Sequence, residues 1–191
     1  MPRQLDDKKR EDILRAALEV FGRKGFAATT VKDIADLAGI ASGTVYTYFQ
    51  DKVDLFSSVS QQNWDAFHAQ MTKILEGPGS TQERAMALLG DGMDRIKELH
   101  PLMRGMYSES LNRNVLSDNV KRVTNLLARN LMGSIPTEGP WTHFSAEELH
   151  AGLHIIIVGL LFEAAMTPPE DLDEKIAQMK LGLGDLVGKG W

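Results

Sequence analysis

The sequence predicts an all-α protein in which a small N-terminal unit of three helices, containing a helix-turn-helix, is joined by a long helix to a larger helical domain. Apolar residues recur at helical spacing in nearly every segment, and no run alternates apolar and polar residues as a half-buried strand would. The breaks between segments fall at glycine and proline. With 191 residues and 43% apolar side chains, the chain is long enough to bury a core without cross-links.

Residue usage and charge narrow the possible classes. The chain contains no cysteine, which excludes disulfides, thiolate metal sites and cysteine nucleophiles. Its first residues contain no apolar leader, so we expect a cytoplasmic protein. The net charge is −5, but residues 1–60 contain nine basic and nine acidic side chains, so the acidity lies in the remainder. This balance disfavours loose, purely electrostatic binding to nucleic acid.

The first helix and the helix-turn-helix follow from apolar spacing and caps. An amphipathic stripe at i, i+3, i+4 and i+7 is formed by Leu14, Ala17, Leu18 and Phe21, and Gly25 ends that helix. Thr30 and Asp33 resemble a capping box, and Gly39 ends the second helix at a tight turn. Ser42 is a suitable N-cap for a third helix. The buried seam is predicted to be Ile34, Ala35, Leu37, Ala38, Ile40, Val45 and Phe49.

The third helix presents a face suited to the major groove of DNA. At about 100° per residue it turns Val45 and Phe49 inward and leaves small side chains on the opposite face. Small residues allow close approach to base edges, and a threonine methyl or hydroxyl can contact a base. Tyrosine hydroxyls at the edges can reach phosphates. The outward face comprises Gly43, Thr44 and Thr47, with Tyr46 and Tyr48 flanking it.

A long fourth helix leads into the larger domain. Asp51 is predicted to cap it, and the run at 77–79, Gly-Pro-Gly, breaks the chain after it. Ser80 with Glu83 opens the fifth helix. Pro101 is predicted to end that helix, so that a separate short helix follows.

Three helices are predicted in the C-terminal third. Ser117 caps the first, and Ser145 with Glu148 forms a capping box before the second. The helix at 145–166 is apolar nearly all round, yet its apolar run is too short for a membrane span. Because one chain can hardly cover all its sides, we expect helices 145–166 and 171–187 to pack against their copies in a twofold four-helix bundle.

The N-terminal third resembles the TetR family of bacterial repressors. The matching stretches are Ile13-Leu14-x-Ala16-Ala17-x-x-x-Phe21-x-x-x-Gly25-Phe26, Thr29-Thr30-Val31-x-x-Ile34-Ala35-x-x-Ala38-Gly39-Ile40, and Ser42-Gly43-Thr44-Val45-Tyr46-x-Tyr48-Phe49-x-x-Lys52-x-x-Leu55-Phe56. The resemblance implies a DNA-binding domain at 1–55, with its helix-turn-helix at 30–49, and a ligand-binding and dimerisation domain at 56–191.

The resemblance also implies a function. We expect a ligand-responsive transcriptional regulator, a repressor that binds a palindromic operator on double-stranded DNA as a homodimer and is released by a small, largely apolar effector. No enzymatic activity, cofactor, metal ion or membrane contact is implied. The family's DNA contacts fall on Thr30, Lys32, Ser42, Gly43, Thr44, Tyr46, Thr47, Tyr48 and Lys52.

The effector is expected among the helices of the larger domain. Methionines adapt to varied ligands, although at helical spacing they also serve as plain core, and both interpretations stay open. Family layout and residue type suggest a lining of Trp64, Phe67, Met103, Met106 and Tyr107, with His100, Arg104 and Glu109 as polar contacts.

Three titratable residues leave alternatives open. His150 and His154 lie one turn apart, which suits either a metal ion or a pair at an interface or in solvent. Glu163 lies in an apolar run, where it lines a ligand cavity, pairs across a dimer or points to solvent.

Two other function classes are weighed against a regulator. A helical enzyme is disfavoured because the sequence contains no glycine-rich phosphate loop, His-Glu metal motif or nucleophile elbow. An architectural DNA-binding protein without a ligand would bind through many cations, which the neutral N-terminal third lacks.

Overall fold

The described part of the chain is helical throughout, which confirms the predicted fold class. The structure, a computed structural model, describes residues 6–108, 113–131 and 143–190, with the side chains at 105–108, 113–115, 131 and 186–190 outside that description. These ranges contain eight α-helices, one 3₁₀ turn and no strand. The helices are α1 (Asp7–Ala28), α2 (Val31–Ala38), α3 (Ser42–Tyr48), α4 (Lys52–Leu75), α5 (Thr81–Ser108), α6 (Arg113–Leu131), α7 (Ala146–Met166) and α8 (Leu172–Gly190), with the 3₁₀ turn Pro169–Asp171 before α8.

The helices form two compact units. Unit 1 comprises Met1–Trp64 and Pro101–Val115, and unit 2 comprises Asp65–His100 and Leu116–Trp191. Compactness assigns no function to either unit, so the functional boundary predicted after residue 55 stays a prediction.

The core of unit 1 is the buried face of α1 with the helices packed on it. Three aromatic rings meet there: Phe21 lies edge-on to Phe56 with centroids 5.0 Å apart, and Phe26 contacts both rings at 5.0–5.9 Å. Offset and edge-to-face pairs at this distance stabilise a core beyond their buried area. The other side chains of α1 in this core are Ile13, Leu14, Ala16, Ala17 and Val20.

Unit 2 has a core that joins α5, α7 and α8. Met93, Leu172 and Ile176 are buried at its centre, and Leu89, Ile96, Leu160, Met179 and Leu183 pack around them. Two ion pairs at the surface link α5 to α8, Asp94 with Lys180 and Lys97 with Asp173.

Local start signals predicted most helix beginnings correctly. Reciprocal capping boxes, in which each side chain bonds the other residue's backbone N–H, pair Thr30 with Asp33, Ser80 with Glu83 and Ser145 with Glu148. Asp51 Oδ1 accepts from the Asp54 N–H at 2.8 Å, as an N-cap does. Gly25 interrupts α1 at φ 73°, although helical turns continue beyond it to Ala28.

Two predicted helix boundaries are wrong, one end and one beginning. Pro101 lies inside α5 and does not end it, and Ser117 lies inside α6, which begins four residues earlier at Arg113. An internal proline costs about 3 kcal/mol. Burial of Leu102 and Met103 just after it stabilises the continuation by roughly 1.5–3 kcal/mol each, which offsets that cost. An internal serine costs only about 0.5 kcal/mol relative to alanine, so Ser117 does not prevent the helix from beginning before it.

Two details of the predicted helix-turn-helix are also wrong. Ser42 is the first residue of α3, and Ala41 occupies the N-cap position without a side-chain hydrogen bond. Leu37, predicted in the buried seam, is 43% exposed, because Ile34 and Ala35 supply the face of α2 that packs inward.

Helix α7 is the most apolar helix and is largely uncovered in a single chain. It is the one described helix whose length and composition alone would allow a membrane crossing. Ile155 and Met166 on α7 and Leu181 on α8 are 62–73% exposed. The sequence-based expectation that one chain cannot cover α7 therefore agrees with its exposure.

The turn between α2 and α3 generates a stability prediction. Gly39 has φ 67°, in the left-handed region, so Gly39→Ala should lower the free energy of unfolding by about 1–2 kcal/mol. Gly22 lies inside α1, and outside its chain neighbours and its own helix backbone no described atom lies within 4 Å of an added Cβ, so Gly22→Ala should raise the free energy of unfolding by up to about 1 kcal/mol. Urea unfolding of both variants measures the difference, and equal stabilities would contradict the assigned backbone conformations.

Candidate nucleic-acid interface

Helix α3 turns one apolar face inward and a polar face outward. Val45 is 1% exposed and the following Phe49 is 3% exposed, as the helical unrolling predicts. Tyr46 is 55% exposed, and Gly43 and Thr47 are exposed as well. The other candidates on α3, Ser42, Thr44 and Tyr48, are half-buried. The outward face of α3 is therefore exposed enough to enter a groove of DNA.

The Thr47 hydroxyl proton is used in a hydrogen bond within α3. The hydroxyl donates to the Gly43 carbonyl at 3.2 Å. With the proton used there, Oγ1 presents lone pairs and the side chain presents its methyl group, the two features that can contact base edges.

The C-terminal end of α3 is attached to the start of α1. The Tyr48 hydroxyl accepts a hydrogen bond from the Asp6 N–H at 3.2 Å, which leaves the hydroxyl proton as a possible donor to a phosphate. The Arg10 guanidinium lies 5.4 Å from the centroid of the Phe49 ring. These two contacts fix the orientation of α3 on α1.

The start of α2 is already occupied by a carboxylate. The Thr30 hydroxyl both accepts from the Asp33 N–H and donates to the Asp33 carboxylate, and Lys24 pairs with that carboxylate at 2.7 Å. Hydrogen bonds from Lys24 first, and then from Thr30, hold the pKa of Asp33 well below its usual range. Lys32, the other candidate on α2, is exposed.

Lys52, the last candidate DNA contact, has internal partners. Its Nζ donates to the carbonyls of Phe26 and Thr29 at 3.0 and 2.9 Å. The nine candidates thus all lie in unit 1. The sequence predicted the bonds between Thr30 and Asp33, but not those of Lys52 to backbone carbonyls. The roles of all nine toward DNA stay predictions.

The predicted effector residues differ in burial. Trp64 and Phe67 are half-buried and Met103 is buried, whereas the side chains of Met106 and Tyr107 and the whole of Glu109 lie outside the described residues. Phe67 lines a pocket of about 280 Å³ in unit 2 whose other lining residues are mostly charged or polar. Grouping of the predicted residues around one effector stays a prediction.

Sequence reasoning missed Ser60 on α4. The residue is 3% exposed, and its Oγ has no hydrogen-bond partner among the described residues. Other helical hydroxyls bond the carbonyl four residues earlier, as Ser57 does with Val53 and Thr124 with Val120. A serine within the otherwise apolar stripe of α4 was the available signal.

The titratable residues on α7 find partners within the chain. His150 Nε2 lies 2.9 Å from Asn125 Oδ1, and His154 Nδ1 lies 3.2 Å from Thr124 Oγ1, so both rings join α7 to α6. The described residues contain no group of three or more metal-ligating side chains. Glu163 pairs with Lys175 of α8 at 2.8 Å at the surface, and this bond raises the pKa of Lys175.

The hydrogen bonds of Lys24 and Thr30 to Asp33 predict how stability depends on pH. Because its pKa is lowered on folding, ionised Asp33 stabilises the fold above the unfolded-chain value near 3.9, and this contribution is lost as pH falls below that value. Asp33→Asn should therefore lower the melting temperature at neutral pH, and its gap from wild type should narrow below about pH 4. Asp36→Asn, at an exposed position on α2, is the control. A gap that stays constant through the acid range would contradict the prediction.

Comparisons with known proteins agree with this geometry. Residues 13–59 match the family model for bacterial regulatory proteins of the tetR family. The HTH-type transcriptional repressor KstR2 of Mycolicibacterium smegmatis is 33% identical over 92 residues. That alignment covers 48% of this chain and less than half, 45%, of the relative. The HTH-type transcriptional regulator BetI of Escherichia coli O157:H7 is 26% identical over 176 residues, which cover 88% of each chain.

Solved structures share the fold along nearly the whole chain. The transcriptional regulator FadR of Bacillus subtilis, solved in complex with stearoyl-CoA, aligns over 95% of this chain and 99% of its own with a TM-score of 0.70 at 19% identity. A TetR/AcrR-family regulator of Thermobifida fusca aligns over 97% and 99% with a TM-score of 0.67 at 24% identity. Residues 13–59 therefore match the tetR family of bacterial regulatory proteins, and the fold of the whole chain is that of the solved regulators.

Proposed function

We propose that the protein is a transcriptional repressor of the cytoplasm that binds a palindromic operator as a homodimer and is released by a small, largely apolar effector. The observation that carries the proposal is that α3 has one buried and one exposed face. Val45 and the following Phe49 are buried, while Gly43, Tyr46 and Thr47 are exposed. Its relatives are named as regulators, which favours DNA binding over catalysis.

DNA contact in this proposal depends on hydroxyls and close approach more than on positive charge. Thr47 offers an acceptor and a methyl to base edges, and Tyr48 offers its hydroxyl proton to a phosphate. Lys32 is an exposed cation on the same helix-turn-helix. With nine basic and nine acidic residues in positions 1–60, the salt dependence of binding should be modest.

Dimerisation in this proposal uses α7 and α8. Their exposed Ile155, Met166 and Leu181 would be covered by the same residues of a second copy in an isologous interface. Such a dimer carries two DNA-binding domains, residues 1–55 of each copy, related by a twofold axis; we call each of them a reading head. The operator should therefore be a palindrome whose half-sites lie about one helical turn apart.

The effector is proposed to be mainly apolar with at least one hydrogen-bonding group. Ser60 supports this, because a buried hydroxyl without a described partner is costly unless a ligand bonds it. Stearoyl-CoA, the ligand in the Bacillus subtilis FadR structure, combines a long apolar acyl chain with hydrogen-bonding groups and is the first compound to test.

A gel shift and a footprint on DNA flanking the gene, at several stated salt concentrations, test the proposal. We expect one protected palindrome, released by an apolar effector. No protected sequence, or equal binding to unrelated DNA, would overturn it.

Thr47 and Tyr48 should affect DNA binding differently. Thr47→Ala removes a base contact, so it should relax preference at one position of each half-site by roughly 10-fold. Tyr48→Phe keeps the ring but removes a phosphate contact, so it should weaken binding to operator and variant sequences alike. Gel shifts against a panel of single-base operator variants measure both effects. Equal effects of both changes on every sequence would contradict the assigned geometry.

The dimer proposal predicts that charge on the α7 stripe separates the subunits. Ile155→Glu buries two carboxylates in the proposed interface, so the variant should be monomeric by light scattering and bind the operator at least about 10-fold more weakly. Ala87→Glu, at an exposed position of α5, is the matched control and should remain dimeric. A dimeric Ile155→Glu protein would rule out this face as the interface.

A further inference from the structure

Helix α6 brings positive charge into an acidic part of the chain. Residues 61–191 contain 12 basic and 17 acidic side chains, yet the part of α6 in unit 2 contains three basic residues and one acidic residue. One of the three, Arg122, pairs through Nη1 with Asp65 Oδ1 of α4 at 2.7 Å. This ion pair places the basic helix against α4 within unit 2.

Two arginines of α6 lie beside a histidine of α4. Arg122 and Arg129 are seven residues apart, close to two turns, so they share one face of α6. His68 is a neighbour of Asp65 on the surface of α4, three residues further along. Burial first, and then the charge of Arg122, lower the pKa of His68. Asp65 raises it, and Arg129 lowers it by a smaller amount, so both arginines are near the imidazole.

These three side chains have donors that the described residues do not use. Arg122 donates only through Nη1, to side-chain oxygens of Asp65 at 2.7 Å and Asn119 at 3.0 Å. Arg129 donates only through Nε, to a carbonyl of its own helix at 3.2 Å. Neither ring nitrogen of His68 has a hydrogen-bond partner among the described residues. Because an arginine has five N–H groups, each guanidinium retains at least one complete NH₂ group for another acceptor.

The charges in this cluster are unbalanced. Two guanidiniums face one carboxylate, which leaves one net positive charge while His68 is neutral and two when it is protonated. A dianion bound there would neutralise the excess and supply oxygen acceptors to the unused NH₂ groups. Its charge would also favour the protonated imidazole. A phosphate monoester near neutral pH has this charge and geometry.

We propose that His68, Arg122 and Arg129 form a binding site for the phosphate monoester group of a small molecule. The guanidiniums would donate to the phosphate oxygens, and the imidazole would bind the group most tightly as a cation. The acidic balance of residues 61–191 disfavours a polyanion such as DNA at this place. The proposal goes beyond the proposed function and does not depend on it.

Sulfate, which is a dianion throughout the pH range used, is the first probe, with chloride at equal ionic strength as the reference. NMR titration of the histidines of the full chain, with His68→Gln to assign the signal, follows the imidazole directly. Sulfate should raise the pKa of His68, since the bound dianion favours the cation. By linkage, sulfate should bind about 3-fold or more tightly at about pH 5.5 than at about pH 7.5. Identical titration curves in the two salts would overturn the proposal.

Two variants separate a site from the general positive charge of α6. Arg129→Gln and Lys121→Gln each remove one exposed cation from this helix. Lys121 lies about 100° around the helix from Arg122 and is not among the charges that shift the pKa of His68. Arg129→Gln should weaken sulfate binding roughly 10-fold, and Lys121→Gln by less than about 2-fold. Equal losses would overturn the site, and the comparison of sulfate with chloride in the wild type needs neither variant to fold.

Methyl phosphate and dimethyl phosphate test the class of phosphate at about pH 7.5. Methyl phosphate is a monoester with nearly two negative charges, whereas dimethyl phosphate is a diester with one, like the backbone of DNA. We expect methyl phosphate to displace sulfate and dimethyl phosphate to bind at least about 5-fold more weakly. Equal affinities, or no binding of methyl phosphate, would overturn the assignment to a monoester. A wild type that binds no operator would end the proposed function, and these titrations would still decide the phosphate site.

Discussion

Burial of one face of α1 is the constraint on which unit 1 depends. Helices α2 and α3 have eight and seven residues, and helices this short are unstable in water on their own. They persist because Ile34, Ala35 and Val45 pack inward with the buried side chains of α1 and with the ring cluster of Phe21, Phe26 and Phe56. The orientation of α3 is therefore a property of the packed unit and not of α3 itself.

Polar contacts at the helix ends complete this orientation, and they use much of the local positive charge. Lys24 pairs with Asp33, Arg10 lies over Phe49, and Lys52 bonds carbonyls of the α1–α2 connection. Arg15 and Arg23 pair with carboxylates on α1 itself. Lys8, Lys9 and Lys32 are exposed and are the cations that the proposed function leaves for phosphates. In the proposed function, the cations that hold the helix ends together would add little to nonspecific attraction to DNA, and selectivity would depend on how α3 fits the groove.

Local patterns were predictable from sequence, whereas long-range partners were not. The boxes at Thr30 and Ser145 depend on residues three positions apart, so composition and spacing identify them. Pro101 continues inside α5 because of buried neighbours, which only the folded chain reveals. The inward face of α3 followed from helical periodicity, but the carbonyls that bind Lys52 lie 23 and 26 residues earlier in the chain. A charged residue in a family motif therefore indicates where a polar contact lies, whereas the partner of that contact depends on the fold.

The exposed face of α7 and the charge-poor reading head have a common physical consequence. In the proposed function, a single N-terminal domain with nine basic and nine acidic residues in positions 1–60 would gain little from counterion release, so its affinity for DNA would depend on a small set of directional contacts. Joining two heads through one interface makes the second contact intramolecular and multiplies affinity without adding charge. The same joining makes binding sensitive to the spacing between heads, because only one spacing places both in successive major grooves. An effector that alters this spacing would release DNA without touching α3. The exposed apolar residues on α7 would be costly to leave uncovered in a monomer. In the proposed dimer they join two nearly neutral DNA-binding domains. The pair would then bind its operator specifically, and an effector could release it.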